Sequence, residues 1–173
     1  MEVIATAFAL DVPSIALLVL PASASVQRAV YELREMGVNA HSLDLLKNEK
    51  GKRYLLHSAS TTQENPTLLV STLATTRGID LPELSHVFIL GIPEGPKVTA
   101  RAVDAYLHIA GRVGRFGRGG RVITVVEKTS GTVEETGDGE DGGKDRLGVS
   151  EASKMLRILK TIEVTPVRFE HFD

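Results

Sequence analysis

Residues 15–37 read I-A-L-L-V-L-P-A-S-A-S-V-Q-R-A-V-Y-E-L-R-E-M-G, and this stretch decides the fold class. Its first part, residues 15–20, is a continuous apolar run, which is typical of a strand buried on both faces. The later part has helical spacing, with apolar residues on one face at Val26, Ala29, Val30 and Leu33. Ser25 or Ser23 predicts the start of this helix, and Gly37 predicts its end. The stretch is therefore a β-α unit.

Strand and helix signals alternate in the same way along the rest of the chain. Further strands are predicted at 38–43, 67–72, 86–90 and 121–126, and helices at 98–110 and 150–162. The polar stretch 47–66 stays ambiguous, with one short helix around 53–57. On the final helix, the spacing predicts an inner face of Ala152, Leu156, Leu159 and Ile162. Repeated β-α units imply one α/β domain over residues 1–173, with a mainly parallel sheet and helices on both faces.

Composition excludes several classes of protein. Hydrophobic residues make up 42% of the 173 residues and charged residues 24%, so wholesale disorder and a coiled coil are excluded. The absence of cysteine removes disulfides, cysteine-ligated zinc, iron–sulfur clusters and thiol catalysis. The histidines show no metal-ligand spacing, so no metal site is predicted. Because no apolar run approaches the ~20 residues of a membrane span and no presequence is visible, we expect no membrane partner. We expect an intracellular location, with cytoplasm, nucleus and mitochondrion left open.

Charge is distributed unevenly along the chain. The net charge is −2, but residues 129–149 hold six acids against two basic residues. This segment is also rich in glycine, and it predicts a flexible, solvated acidic loop. The remainder carries +2, and its arginines recur every third residue at Arg112, Arg115, Arg118 and Arg121. A local basic site of this kind can bind phosphates whatever the overall charge.

The arginines lie in a glycine-rich segment, residues 111–120, which reads G-R-V-G-R-F-G-R-G-G. Glycines allow tight turns close to a ligand, and the planar arginine fork suits phosphate oxygens. Composition alone does not distinguish such a phosphate site from a flexible solvated loop or an RNA tether. In parallel sheets, ligands bind in loops at the carboxyl ends of strands. The two loops that are densest in polar and glycine residues are 71–82, after one strand, and 108–120, before another.

Two segments together resemble the DEAD-box RNA helicases. Residues 106–115, Y-L-H-I-A-G-R-V-G-R, resemble motif VI of that family, Y-[IV]-H-R-x-G-R-x-G-R. Residues 71–82, S-T-L-A-T-T-R-G-I-D-L-P, look like its motif V, A-T-D-x-x-A-R-G-[IL]-D-[IV]-P. The resemblance covers roughly residues 15–173 and implies a three-layer RecA-like fold, the carboxyl-terminal half of such a helicase.

The sequence has no G-x-x-x-x-G-K-[ST] and no D-E-A-D segment. In the family these lie on a first RecA-like domain, which holds the phosphates and the magnesium of ATP. The resemblance therefore implies that the parent protein is an ATP-dependent RNA helicase. It also implies that this chain alone is inactive and needs a first RecA-like domain in cis.

The resemblance assigns roles to individual residues. Arg112 and Arg115 match the catalytic arginines that reach the γ-phosphate across the cleft. Asp80 matches an acid that binds the ATP ribose, and Gly78 lets the chain pass close to ATP.

On the RNA side, Thr72 matches a residue that touches an RNA phosphate, Ser23 falls in the eroded motif IV, and Arg53 is the remnant of a Q-x-x-R element. His108 and Arg77 match residues that couple the ATP and RNA sites.

The sequence departs from the family pattern at one charged pair in motifs V and VI and at residues that contact RNA. Leu73 replaces the motif V acid and Ile109 replaces the motif VI arginine. Our hypothesis is that the two side chains face one another, so that an apolar contact replaces a buried ion pair at little cost. In motif IV, Val19 stands where the family has phenylalanine, and Ala22, or Ser23 on a one-residue shift, stands where it has threonine. The ATP-facing set is complete, whereas the RNA-facing set is thin.

Three functions remain open at this point. The first is the second half of an ATP-dependent RNA helicase, which grips RNA by its backbone. The second is a non-catalytic helicase-derived subunit or adapter of a ribonucleoprotein complex, which the eroded motifs and low net charge favour. A DNA-directed superfamily 2 enzyme is the third and fits the two motifs least well.

Overall fold

The computed structural model describes residues 1–59, 65–76, 84–92, 99–114, 119–127 and 150–169. In chain order the elements are α1 (Glu2–Leu10), β1 (Ile15–Leu20), α2 (Val26–Glu35), β2 (Ala40–Ser42), a 3-10 helix (Leu43–Lys47), α3 (Glu49–Ala59), β3 (Thr67–Thr72), α4 (Leu73–Thr76), β4 (His86–Leu90), α5 (Ala100–Ala110), β5 (Arg121–Val125) and α6 (Glu151–Thr161).

The strands form one parallel sheet in the order β2-β3-β1-β4-β5. The central strand β1 is buried along its whole length, as its apolar run predicts. Its register pairs Ile15 with Thr67 and Leu20 with Thr72, so β1 and β3 end at the same level. The predicted α/β class is confirmed.

Helices cover both faces of the sheet because neighbouring side chains of a strand point to opposite sides. On β1, Ile15, Leu17 and Val19 join one core cluster with α4, α5, α6 and the 3-10 helix. The alternate residues Ala16, Leu18 and Leu20 join a second cluster with α1 and α2. The result is the expected three-layer arrangement.

Helix α1 has no counterpart in the sequence prediction. It buries Ile4, Ala7 and Phe8, a spacing of three and four residues that marks one helical face. The Phe8 ring lies 6.5 Å from the Phe88 ring of β4, measured between centroids. The helix therefore closes one face of the sheet ahead of β1.

Most helix ends agree with the sequence. The Ser25 hydroxyl accepts a hydrogen bond from the Arg28 N–H, and Ser150 caps α6 in the same way. Gly37 ends α2 with φ of +81°. The predicted strand at 38–43 is shorter, because Leu43 begins the 3-10 helix, and the predicted short helix around 53–57 extends over Glu49–Ala59.

The inner face of α6 differs from the prediction. Met155, Ile158 and Leu159 are buried, whereas Leu156 is 55% exposed. The prediction for Leu156 is therefore wrong, since the helix is rotated so that Met155 replaces it in the core.

Candidate functional site

The carboxyl edge of the sheet carries two of the predicted RNA-facing residues. Leu20 and Thr72 are register partners at the ends of β1 and β3. Thr72 is partly buried, and Ser23 is exposed in the turn that follows β1, where the Ala24 N–H donates to the Pro21 carbonyl at 3.0 Å. Both hydroxyls thus lie at one edge, at the ends of adjacent strands.

A cluster of hydroxyl groups fixes the backbone at Thr72. The Thr75 Oγ1 accepts the Thr72 N–H at 3.0 Å and lies 2.7 Å from the Ser71 Oγ. Ser71 is 1% exposed. Sequence analysis assigned no role to Ser71 or Thr75, although hydroxyl residues before a helix and in its first turn are a signal of such a cap.

Arg53 lies apart from this pair. It is exposed on α3, which packs on the 3-10 helix, and that helix in turn packs on β3 and α4. Within the described ranges, no hydrogen bond or ion pair joins Arg53 to Ser23 or Thr72. The structure therefore places two of the three predicted RNA-binding residues at one edge of the sheet and the third on α3, which reaches that edge through the 3-10 helix.

The arginine-rich segment begins and ends at the opposite, amino-terminal edge. Val113 forms an isolated parallel β-bridge with Leu84, the residue that precedes β4 by two positions. Gly120 leads into β5, and the first residue of that strand, Arg121, pairs with His86. His86 pairs with Ala16, which lies four residues before Leu20 on β1. The two edges are therefore about 13 Å apart along the strands. Of the two densest loops, only 71–82 follows a carboxyl end, because α5 carries the chain back to the start of the next strand.

Arg112 is held by a neighbouring histidine. Its Nη2 lies 2.7 Å from the Nε2 of His108, one turn earlier on α5. A guanidinium can only donate, so this His108 nitrogen accepts and the proton of the neutral ring is on Nδ1. Arg112 is partly buried, and the contact with His108 orients its guanidinium.

The inner face of α5 anchors this helix to the core. Tyr106 is 6% exposed and Ile109 is 1% exposed. Burial raises the pKa of the Tyr106 phenol, and a hydrogen bond with the Thr124 side chain of β5 opposes that shift. The helix end that presents His108 and Arg112 is therefore fixed to the sheet from behind.

Close packing joins the two ends of the arginine-rich segment. A methyl group at Gly120 would lie 2.6 Å from the Val113 Cβ and 2.8 Å from the Gly114 nitrogen. Gly114 itself has φ of +70°, a left-handed conformation that favours glycine. Glycine at these two positions lets the segment close on itself beside α5.

Arg121 does not continue the basic series. Its Nη1 lies 2.8 Å from the Asp11 Oδ2, and the same oxygen lies 3.0 Å from the Nε2 of His86. Both contacts are ion-pair distances without hydrogen-bond geometry, whereas the His86 Nδ1 is 2.9 Å from the Ser85 Oγ. Asp11 thus pairs with Arg121 in an ionic cluster at the amino-terminal edge, although the Arg121 side chain stays 66% exposed.

The two aliphatic departures from the family pattern lie in the same core. Leu73 is 9% exposed, Ile109 is 1% exposed, and both belong to the cluster on the α5 face of the sheet. Helices α4 and α5, which carry them, are in contact. These observations support the hypothesis of a shared apolar environment, and direct contact between the two side chains stays a prediction.

Several predicted site residues lie outside the described residues: Arg77, Gly78, Asp80, Arg115 and the acidic segment 129–149. In the part of the chain that the structure does describe, no group of three histidine, aspartate or glutamate side chains could hold a metal ion. No helix in those same ranges is long and apolar enough to cross a membrane.

Comparisons with a family model and with individual proteins identify the same family. The helicase conserved C-terminal domain matches residues 12–117. The ATP-dependent RNA helicase SrmB of Escherichia coli is 37% identical over 100 residues, which are 55% of this chain and 19% of that protein. The DEAD-box ATP-dependent RNA helicase CshC of Bacillus cereus is 34% identical over 92 residues, covering 47% of this chain and 22% of that protein. The chain thus spans less than a quarter of these relatives.

Solved structures show the same fold. The C-terminal domain of the DEAD-box protein Dbp5 superposes with a TM-score of 0.58 at 19% sequence identity. The superposition covers 93% of this chain and 77% of that one.

Proposed function

The chain belongs to the family of the helicase conserved C-terminal domain, as found in DEAD-box RNA helicases, and from this premise we propose that it is the second RecA-like half of an ATP-dependent RNA helicase. One observation carries the proposal: the two sets of candidate residues lie at opposite edges of the sheet. His108 orients Arg112 at the amino-terminal edge, and Thr72 and Ser23 lie at the carboxyl edge. Two ligands can therefore contact the domain at the same time.

On the ATP side, Arg112 and Arg115 reach the γ-phosphate of an ATP held by a first RecA-like domain in cis. A guanidinium supplied across the cleft stabilises the charge on the transferring phosphoryl oxygens, an effect of ~10³–10⁵ in rate. In the same scheme, Asp80 and Gly78 bind the nucleotide, as the family resemblance implies. Magnesium accompanies ATP and is held by the first domain, so this chain alone does not hydrolyse ATP.

On the RNA side, the hydroxyls of Thr72 and Ser23 donate hydrogen bonds to backbone phosphates, and Arg53 adds a positive charge. Contacts of this kind position the strand and carry no sequence information. Residues 73–84 connect the two edges along the chain, and in this scheme Arg77 and His108 couple them. Leu73 lies between the two edges along the chain and shares its core cluster with α5.

A non-catalytic role in a ribonucleoprotein complex is the second candidate. It is favoured by Leu73 and Ile109, where the family has an acid and an arginine. An adapter would keep the fold and the RNA surface and lose the ATP cycle.

The experiment that separates the two candidates uses the intact protein purified from its source. We expect its mass to exceed 18.6 kDa by a domain and its ATP turnover to be stimulated by RNA. Arg112→Ala should then lower turnover about 10³-fold. Arg101→Ala, at an exposed arginine on the same helix, is the control and should leave turnover unchanged. An intact mass of 18.6 kDa with no turnover would favour the adapter.

A further inference from the structure

An exposed tyrosine lies beside a fixed histidine on the β2 side of the sheet. Tyr54 on α3 is 51% exposed. Its ring centroid is 5.6 Å from that of His41 on β2, and the two planes meet at 66°. An edge-to-face contact of this kind holds one side of an aromatic ring and leaves the rest to solvent.

His41 is a rigid support for that ring. The Arg34 Nη2 lies 3.1 Å from His41 Nδ1, and His41 Nε2 lies 2.9 Å from the Asn39 Oδ1. Because Arg34 can only donate, Nδ1 accepts and the Nε2–H donates to Asn39. Arg34 is itself held by its Nε, which donates to the Ala40 carbonyl at 2.7 Å. Both ring nitrogens of His41 are thus engaged.

The same surface carries uncompensated positive charge. On the 3-10 helix and α3, Lys47 pairs with Asp44 and Lys52 pairs with Glu49. In the described part of the chain, no acidic group lies within ion-pair distance of the exposed Lys50 and Arg53. Lys50 is one turn before Tyr54 and shares its side of α3, whereas Arg53 precedes Tyr54 directly and lies about 100° around the helix.

We propose that Tyr54, backed by His41 and flanked by Lys50 and Arg53, is a stacking platform for a base of single-stranded RNA. Aromatic rings bind the faces of unpaired bases while nearby cations bind phosphates, which gives affinity with little sequence preference. His41 is level with Leu69, three residues before Thr72, which is about 10 Å along β3. The platform therefore extends the RNA path from the carboxyl edge over the 3-10 helix.

This inference rests on the proposed RNA-binding function, and the test separates the two. The intact protein is titrated with fluorescein-labelled oligoadenylate and with the same sugar-phosphate chain lacking bases, at one low salt concentration. We expect Tyr54→Ala and Tyr54→Leu to weaken oligoadenylate binding about 5- to 100-fold, since stacking contributes ~1–3 kcal/mol per base. Binding of the base-free chain should not change.

Three controls complete the design. Tyr54→Phe keeps the ring and should bind like the wild type. Tyr31→Ala removes a tyrosine on α2 that is 65% exposed and should have no effect. Lys50→Ala should weaken both probes alike and reduce the salt slope by about 1.

Two results would overturn the platform alone: full oligoadenylate affinity in Tyr54→Ala while Thr72→Val is impaired, or an equal loss for both probes. The first would also be the result if the surface serves a protein partner. A wild-type protein that binds neither probe would overturn the RNA-binding function together with the platform.

Discussion

At the carboxyl edge of the sheet the candidate site consists of neutral hydroxyl groups, whereas at the amino-terminal edge it consists of charged side chains. Thr72 and Ser23 occupy the first edge, and the Ser71–Thr75 hydrogen bond fixes the backbone there. At the second edge, His108 orients Arg112, and Asp11 pairs with Arg121.

The difference follows from what each edge is proposed to do. A neutral hydroxyl makes a weak, sequence-independent contact with a phosphate, which suits an RNA strand that must be released. A guanidinium acts on charge that develops during phosphoryl transfer, and it is effective only when it is held in place beforehand. Three predictions test whether the two edges are built by such different forces, and a fourth concerns the outer strand β2.

The largest expected effect concerns close packing at the amino-terminal edge. Gly120→Ala places a methyl group 2.6 Å from the Val113 Cβ, so the chain must shift. We expect the free energy of unfolding, measured by urea titration, to fall by about 2–3 kcal/mol. Gly119→Ala is the matched control, because a methyl group there meets nothing within 4 Å. Equal effects of the two substitutions would contradict this packing.

The ionic cluster at the same edge should matter somewhat less. Asp11→Ala removes the carboxylate that lies beside Arg121 and the buried His86 Nε2. We expect a loss of about 1–2 kcal/mol in the free energy of unfolding, because a partly buried carboxylate beside Arg121 and the buried His86 Nε2 contributes more than an exposed ion pair. Asp44→Ala breaks an exposed pair with Lys47 and should cost well under 1 kcal/mol. If Asp11→Ala cost as little as Asp44→Ala, the ionic cluster would not stabilise the amino-terminal edge.

At the carboxyl edge the expected effect is smaller still. Thr75→Val keeps the side-chain volume and removes the hydroxyl that accepts the Thr72 N–H. The same hydroxyl also lies 2.7 Å from the Ser71 Oγ and donates to the Thr72 carbonyl at 3.0 Å. Because these contacts share one partly exposed hydroxyl, the free energy of unfolding should fall by about 1 kcal/mol in total. Thr161→Val, which removes an exposed hydroxyl on α6, provides the reference. If Thr75→Val cost more than Gly120→Ala, the contrast between the edges would be wrong.

The smallest effect is a pH dependence at the β2 edge. Burial, and then the charge of Arg34, lower the pKa of His41 from its ordinary value of 6.5. Between the lowered pKa and 6.5 the unfolded chain binds more protons, so stability rises with pH in that window and is constant above it. Thermal unfolding of the wild type and of His41→Phe across this range isolates the His41 contribution. A constant difference between the two proteins would mean that His41 titrates alike in both states.

Local patterns in the sequence determine the elements of this protein. The apolar run of β1, the helical spacing of α2 and the caps at Ser25 and Ser150 were all predictable, because each depends on residues a few positions apart. The two motifs at 71–82 and 106–115 identify the family for the same reason, since their residues are contiguous. Helix α1 also had a local signal, in Ile4, Ala7 and Phe8, that the sequence analysis did not use.

Tertiary structure alone decided which distant residues meet. Arg121 belongs to the arginine series by spacing, but the order of the strands places it beside Asp11. Tyr54 meets His41 because α3 folds back over the β2 edge. Leu156 points outward because α6 packs on the sheet through Met155, Ile158 and Leu159 instead. Sequence periodicity determines which residues share a face, whereas strand order and helix rotation depend on packing over the whole domain, and these determine what each face touches.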